Sequence, residues 1–164
     1  MDKLIGELLN LLREILASQQ RLLQIAMARQ EAMRVYDLER LKMLTEQEKT
    51  ETQRAEGLVV RRRVILHQLQ NVLGRQVEMK VSEIAKRCGE PAKTQLLGLA
   101  AEIKAVTEEL DRRTRMNAKI SETVVNGLAK VLKVMTGLAQ HAGLYMRNGR
   151  KAALRGIHML EITA

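Results

Sequence analysis

Residues 96–138 read LLGLAAEIKAVTEELDRRTRMNAKISETVVNGLAKVLKVMTGL, and this stretch decides the fold class. Its apolar residues recur three or four positions apart, with polar residues at two of the steps, Arg113 and Asn117. This spacing places the apolar residues on one face of an α-helix that packs along a neighbouring helix. The chain's one proline, Pro91, precedes the stretch, so a helix over residues 92–140 would span roughly 70 Å. A helix of that length builds a rod or a hairpin, which indicates binding rather than catalysis.

The amino-acid composition also indicates a helical fold. Tyr36 and Tyr145 are the only aromatic residues, so aromatic side chains contribute little bulk to a core. Leu, Ile, Val and nine Met must supply that bulk, among abundant Ala, Glu, Lys, Arg and Gln. Such a composition is typical of extended helical packing. We therefore predict an all-α fold in one domain, a long antiparallel helical bundle or hairpin that resembles a coiled coil.

Breaks in the apolar pattern divide the chain into four helices and a tail. The pattern shifts near Tyr36, and we expect a turn there because the long helix needs an antiparallel neighbour. Asp2 and Asp37 are candidate N-caps of the first two helices. Gly74 and Pro91 delimit a connection that contains one short helix. The expected ranges are about 2–35, 37–73, 79–88 and 92–140 for the helices, 1–140 for the bundle and 141–164 for a flexible basic tail.

Two of the predicted helices carry distinctive surfaces. The first helix has two adjoining apolar rows, as expected for a helix that touches two neighbours in a bundle. In the second helix, residues 45–56 are polar on every side. If the second and the long helix fold back about residue 84, this polar belt lies opposite Arg113 and Asn117. A polar layer of this kind either fixes the register of a bundle or marks where a partner inserts.

Positive charge is concentrated in the second part of the chain. Residues 1–60 carry a net charge of −1, and residues 61–164 carry a net charge of +10. This asymmetry indicates an acidic partner, such as nucleic acid, a membrane surface or an acidic protein. The alternative is a solvated helix surface that happens to be basic. No aromatic platform for stacking single-stranded nucleic acid accompanies the basic clusters, because both tyrosines are isolated.

Residue patterns typical of enzymes are missing from the sequence. His67, His141 and His158 share no metal-ligand spacing with one another or with Cys88. Neither of the glycine-rich motifs that bind nucleotide phosphates occurs, and no serine lies in a motif with a base and an orienting acid. We therefore expect no catalytic residue, no metal site, no cofactor and no small-molecule substrate.

The number of cysteines and the hydropathy of the chain indicate the cellular compartment of the protein. Cys88 is the single cysteine, so no intramolecular disulfide can form, which fits a reducing compartment. The first residues lack the arrangement of a signal peptide. No run of about 18 apolar residues occurs. We therefore expect a cytoplasmic protein without membrane insertion.

The end of the chain carries the most specific motif. Residues 144–150 read LYMRNGR, which resembles the L-Y-x-x-x-G segment of the FlgN family, the export chaperones of the flagellar hook-filament junction proteins. The order of the helices and the position of Asn117 near the middle of the long helix are also similar to that family. Family members often carry a second asparagine close to the first, whereas here Ile120 and Ser121 follow Asn117.

The resemblance implies a function in the flagellar type III secretion pathway. Such a chaperone binds the C-terminal helical segment of hook-associated proteins, prevents their premature assembly and delivers them to the export gate. By this correspondence Leu144, Tyr145 and Gly149 form the export-gate docking segment, with Tyr145 as the docking residue. The client is expected to bind along the long helix, through Asn117, Ile120, Val124, Leu128, Val131, Met135 and Leu138.

Two other classes of function remain open from the sequence. One is a basic coiled-coil module that binds nucleic acid, through clusters such as Arg61-Arg62-Arg63. The other is a structural helical adaptor, for example a homodimer that buries the same wide apolar face in itself. Binding that weakens steeply with salt favours the first class, and a dimer that a client does not dissociate favours the second.

Overall fold

The computed structural model describes residues 1–74 and 80–142, with the backbone alone for residues 138–142. These residues form four helices and no strand: α1 (Asp2–Arg34), α2 (Leu38–Val72), α3 (Val81–Ala85) and α4 (Ala92–Ala142). The all-α prediction and the order of three long helices and one short helix are therefore confirmed. The predicted division into a bundle over residues 1–140 and a tail over residues 141–164 stays a prediction, because residues 143–164 lie outside the described part of the chain.

The chain divides into two compact units, Met1–Ile120 and Ser121–Ala164, and α4 contributes to both. The first unit contains α1, α2, α3 and the first part of α4. In the second unit, the described residues are those of the last part of α4.

A tight turn joins α1 to α2, as expected. The backbone N–H of Asp37 donates to the carbonyl of Ala32 at 2.9 Å, and that of Tyr36 donates to the carbonyl of Met33 at 3.4 Å. These two bonds form the Schellman arrangement that commonly ends a helix. Tyr36 occupies the left-handed position of this turn, with φ of 55°. Asp37 then caps α2, because its side chain accepts from the N–H of Arg40 at 3.0 Å.

The start of α1 differs from the expectation. Met1 is the N-cap residue, and Asp2 already lies in the first turn of the helix. The prediction that Asp2 caps α1 is therefore wrong. In the first turn the carboxylate of Asp2 is still near the helix N-terminus, where a negative charge interacts favourably with the helix dipole.

The main hydrophobic core lies in the N-terminal half of α1 and brings all four helices together. Both apolar rows of α1 are buried there, which confirms the wide face predicted for this helix. Full burial of a Leu or Ile side chain contributes about 1.5–3 kcal/mol, so this cluster stabilises the first unit strongly. Its buried members are Ile5, Leu8, Leu9, Leu11, Leu12, Ile15, Leu58, Ile65, Leu66, Leu69, Ile84, Ala85 and Leu96.

Side-chain contacts show the relative direction of the long helices in the first unit. Glu14 contacts Arg61 and Arg29 contacts Glu48, so α1 and α2 run antiparallel. Arg13 donates to Gln95 at 3.3 Å, and Gln30 accepts from Arg113 at 3.0 Å, so α1 and the first part of α4 run parallel. Nearer the α1–α2 turn, a smaller buried set consists of Ala26, Ala32, Met33 and Leu44.

Candidate functional site

A layer of polar contacts separates the two buried apolar sets of the first unit. Ser18 of α1 is fully buried, and its hydroxyl donates to Oε1 of Glu51 on α2 at 2.7 Å. Nη2 of Arg21 lies 3.0 Å from the same carboxylate oxygen. The side chain of Glu51 is 13% exposed, so this carboxylate is held in a largely desolvated position. Such a buried charge requires partners, and Ser18 and Arg21 supply them.

The pKa of Glu51 reflects this balance. Burial alone raises the pKa, but the contacts with Arg21 and Ser18, together with the positive charges of Arg21 and Arg54, outweigh burial and lower it. Glu51 is therefore ionised at neutral pH. The carboxylate contributes to the contact between α1 and α2 as a charged group.

The same layer continues from α1 to α4. Arg113 donates from Nη1 to Gln30 of α1 at 3.0 Å and from Nε to Glu109 of its own helix at 2.7 Å. Asn117 is 6% exposed, and its Nδ2 donates to the backbone carbonyl of Ala26 at 2.8 Å. The Oδ1 atom of Asn117 is buried and has no hydrogen-bond partner among the described residues.

The partners of the polar belt differ from the expectation. The belt of α2 was expected to face Arg113 and Asn117 directly, but Glu48 and Glu51 pair with α1, and the two α4 residues also contact α1. Helix periodicity identifies the face that a residue occupies but not which neighbouring helix lies there. Since Asn117 is bonded to a backbone carbonyl of α1, these contacts favour the register interpretation of the layer.

An exposed apolar surface lies in the second unit, along residues 121–137 of α4, and we call it the apolar face. It consists of large side chains that are 55–62% exposed. The charged residues of this segment, Glu122, Lys130 and Lys133, lie on the opposite side by helical periodicity. Exposed apolar patches of this size on soluble proteins mark interaction sites. The residues of the apolar face are Val125, Leu128, Val131, Leu132, Val134 and Met135.

The residues expected to bind a client occupy different environments. Leu128, Val131 and Met135 lie within the apolar face, and Val124 is half-buried beside them. Asn117 is buried against α1, and Ile120 is half-buried in the first unit. The side chain of Leu138 lies outside the described residues, as do Leu144, Tyr145 and Gly149 of the expected docking segment.

Three members of the apolar face, Val125, Leu132 and Val134, were not predicted from the sequence. The predicted client-binding residues form a single row, and these three lie on the two flanks of that row. A helical projection at 100° per residue would have found them, since it places the apolar residues over about half the circumference. An apolar stripe of that width is typical of a helix that packs against a partner.

Two basic clusters lie within the described residues, Arg61-Arg62-Arg63 and the set Arg112, Arg113, Arg115 and Lys119, and both contribute to ion pairs. Arg61 pairs with Glu14 at 3.1 Å, and Arg112 and Arg113 both pair with Glu109. These contacts lower the pKa of Glu109, with the hydrogen bond from Arg113 as the largest cause. Arginines already paired with carboxylates of their own chain are weaker contacts for phosphates. The structure therefore favours a solvated surface over a nucleic-acid interface at these clusters.

Neither a metal site nor a membrane span is evident in the described part of the chain. No group of three or more His, Cys, Asp or Glu side chains is placed to hold a metal ion within residues 1–74 and 80–142. None of the helices in those ranges is long and apolar enough to cross a membrane.

Comparison with known proteins identifies a protein family that the chain matches. Residues 1–153 match the family described as FlgN protein, a range that includes all four helices and the LYMRNG segment of residues 144–149. No curated protein and no solved structure matched the chain.

Proposed function

We propose, since the chain belongs to the FlgN family, that it is the flagellar export chaperone of hook-associated proteins. The FlgN family consists of flagellar export chaperones rather than enzymes. Membership of the family therefore gives this chain the general role of a flagellar export chaperone. The finer role that we propose is binding of the C-terminal helical segment of a hook-associated protein in the cytoplasm. Binding keeps the client from assembling early, and the complex is then delivered to the export gate.

The apolar face is the observation that supports this proposal. An amphipathic client helix binds by laying its own apolar stripe against such a surface. Full burial of the exposed parts of its six large side chains would contribute roughly 5–11 kcal/mol. Association itself costs about 4–15 kcal/mol, so this surface supports reversible rather than permanent binding. Reversibility is what a chaperone needs, because it must release its client at the export gate.

Within this proposal the predicted client-binding residues divide into two groups. Ile120, Val124, Leu128, Val131, Met135 and Leu138 provide the contact surface for the client. Asn117 has a different part, since its bond to Ala26 fixes the register of α4 against α1 at the start of the client-binding segment.

Export-gate docking is assigned to the segment that follows α4. Leu144, Tyr145 and Gly149 match the family's L-Y-x-x-x-G segment, and the family match extends beyond them to residue 153. We propose that Tyr145 inserts into the gate and that Gly149 permits the chain to turn after it.

Client binding is tested by titrating the full chain calorimetrically with C-terminal peptides of the same organism's hook-associated proteins. Leu128→Asp places a charge in the apolar face, and we expect it to weaken binding at least tenfold. Asn126→Asp is the matched control, because it adds the same charge on the opposite side of the same helix. Equal affinities for the two variants would place the client elsewhere on the chain. Binding to DNA that disappears with salt, with no peptide binding, would favour the nucleic-acid function instead.

Gate docking is tested by secretion in cells that carry Tyr145→Ala. We expect client binding to be retained and export of hook-associated proteins to fall. Tyr36→Ala is the control, since it removes the other tyrosine of the chain. Normal export with Tyr145→Ala would contradict the docking assignment and would leave the client-binding proposal intact.

A further inference from the structure

We infer that, without a client, the apolar face pairs with the same face of a second copy of this chain, so that self-association and client binding compete. This inference rests on the proposed function, because the competition involves the surface assigned to the client. The self-association itself is argued from the geometry of the face alone.

The size of the face is the first argument. Its six side chains are each more than half exposed. Together they present about 600 Å² of apolar surface, which is the upper limit of what typical soluble monomers leave uncovered. Pairing two copies would remove about 1,200 Å² from water, the lower limit of a specific protein interface. The face is therefore large enough for a dimer, although one of modest affinity.

The spacing of the residues is the second argument. Val124, Leu128, Val131 and Met135 follow one another at intervals of four, three and four. These are the alternating intervals of the a and d positions of a coiled coil, where side chains of one helix fit between those of the other. We call the row of these four residues the seam. Val125 and Leu132 lie beside the seam on one flank, and Val134 lies on the other flank.

The distribution of charge is the third argument, because it permits a second copy to pack against this face. Two copies of a surface that carries charges of one sign bring like charges together. Lys130, Lys133 and Glu122 all lie away from the seam, so a symmetric pair of apolar faces opposes no like charges. The seam is therefore compatible with itself, in either relative direction of the two helices.

Competition follows from the use of one surface by two partners. A client helix and a second copy cannot contact Leu128 and Val131 at once if both use the seam. By mass action, a higher concentration of the free chaperone then weakens the apparent affinity for the client. The client in turn converts the dimer into a complex of one chaperone with one client.

Sedimentation equilibrium of the full chain without client, over concentrations on the order of 1–100 µM, tests self-association. We expect the mass to rise from that of a monomer towards that of a dimer. Leu128→Asp should raise the dimer dissociation constant at least tenfold, and Asn126→Asp should leave it within twofold. Val131→Lys is the second variant, and helical circular dichroism shows that each variant is folded. A wild-type chain that stays monomeric at the highest concentration would overturn the inference.

Adding a client peptide to the dimer tests the competition. We expect one-to-one complexes and loss of the dimer. A dimer that persists with the client bound, or that survives both Leu128→Asp and Val131→Lys, would show that self-association uses another surface and would overturn the inference. Failure of the proposed function is distinguishable, because then the client does not bind at all, whatever the mass of the chain alone.

Discussion

At the scale of single residues, Asn117 shows how one polar group is accommodated inside a helical bundle. It donates one hydrogen bond to the carbonyl of Ala26, while its own Oδ1 is buried without a partner among the described residues. An unsatisfied buried acceptor lowers stability. A single polar residue at a packed position nevertheless fixes the register of helices, since other registers would leave both of its polar atoms unpaired.

The first prediction concerns this residue. Asn117→Leu removes the unpaired oxygen and adds apolar burial, so the free energy of unfolding should rise by about 1 kcal/mol. Urea denaturation measures the change. Asn126→Leu is the control, because Asn126 is exposed on the same helix and its replacement should change stability by less than about 0.5 kcal/mol. A large fall in stability for Asn117→Leu would mean that the hydrogen bond to Ala26 stabilises the fold by more than the unpaired Oδ1 atom destabilises it.

The second prediction concerns Tyr36 in the α1–α2 turn. A non-glycine residue in the left-handed region costs about 1–2 kcal/mol, and Tyr36 is 71% exposed, so it recovers little of this by packing. We expect Tyr36→Gly to stabilise the chain by about 1 kcal/mol. Tyr36→Ala keeps the unfavourable conformation and should give no comparable gain. Both variants are compared with the wild type by thermal denaturation, and destabilisation by glycine would point to a contact made by the tyrosine ring.

At the scale of the helices, much of the fold could be predicted from the sequence. The three-and-four spacing of apolar residues predicted α4, the two rows of α1 predicted its contact with two neighbours, and Asp37 was correctly identified as the cap of α2. These predictions succeeded because periodicity and capping are local properties of the chain. The cap of α1 was predicted one residue too late, since Met1 rather than Asp2 precedes the helix.

The candidate site could be predicted only in part, for physical reasons. A row of apolar residues looks the same in sequence whether a neighbouring helix covers it or not. The exposure of Leu128 and Val131 therefore required the structure, as did the burial of Asn117. The partners of Glu48 and Glu51 were also assigned to the wrong helix, because contacts between helices depend on how they are arranged in space.

The third prediction concerns α2. Gly57 lies in the interior of this helix, and an added Cβ would meet nothing within 4 Å. Gly57→Ala should therefore raise the free energy of unfolding by about 0.5–1 kcal/mol, through helix propensity alone. Gly74→Ala is the contrasting variant, because Gly74 has a φ of 64° that alanine adopts with strain. Urea denaturation should show changes of opposite sign in the free energy of unfolding of the two variants. Changes of the same sign would contradict this prediction.

At the scale of the whole molecule, the polar layer makes the fold sensitive to acid. The pKa of Glu51 is lowered in the folded state, so its contribution to stability is fully present above the pKa of the unfolded chain, near 4.5. That contribution is lost as the pH falls through the lower folded pKa. The charge on Glu51 thus helps to hold α1 and α2 together at neutral pH and ceases to do so in acid.

The fourth prediction follows from this linkage. Between pH 6 and pH 3 the free energy of unfolding should fall less in Glu51→Gln than in the wild type, because the substituted side chain cannot be protonated. Chemical denaturation at each pH measures this difference. Glu102→Gln replaces an exposed glutamate of α4 and should keep the acid dependence of the wild type. If Glu51→Gln had the same acid dependence as the wild type, other titrating groups would dominate the pH dependence of the free energy of unfolding.

The passage of α4 from one compact unit into the other has a thermodynamic consequence. In the first unit α4 is held by packing against α1, whereas residues 121–137 carry their large apolar side chains exposed. A helical segment whose large apolar side chains are exposed gains little stability from packing, so its backbone amides should exchange with solvent far faster than those of residues 92–120. Docking of a partner then includes a gain of helical order, whose entropic cost weakens binding. Release can begin by fraying at the helix end, without any opening of the bundle.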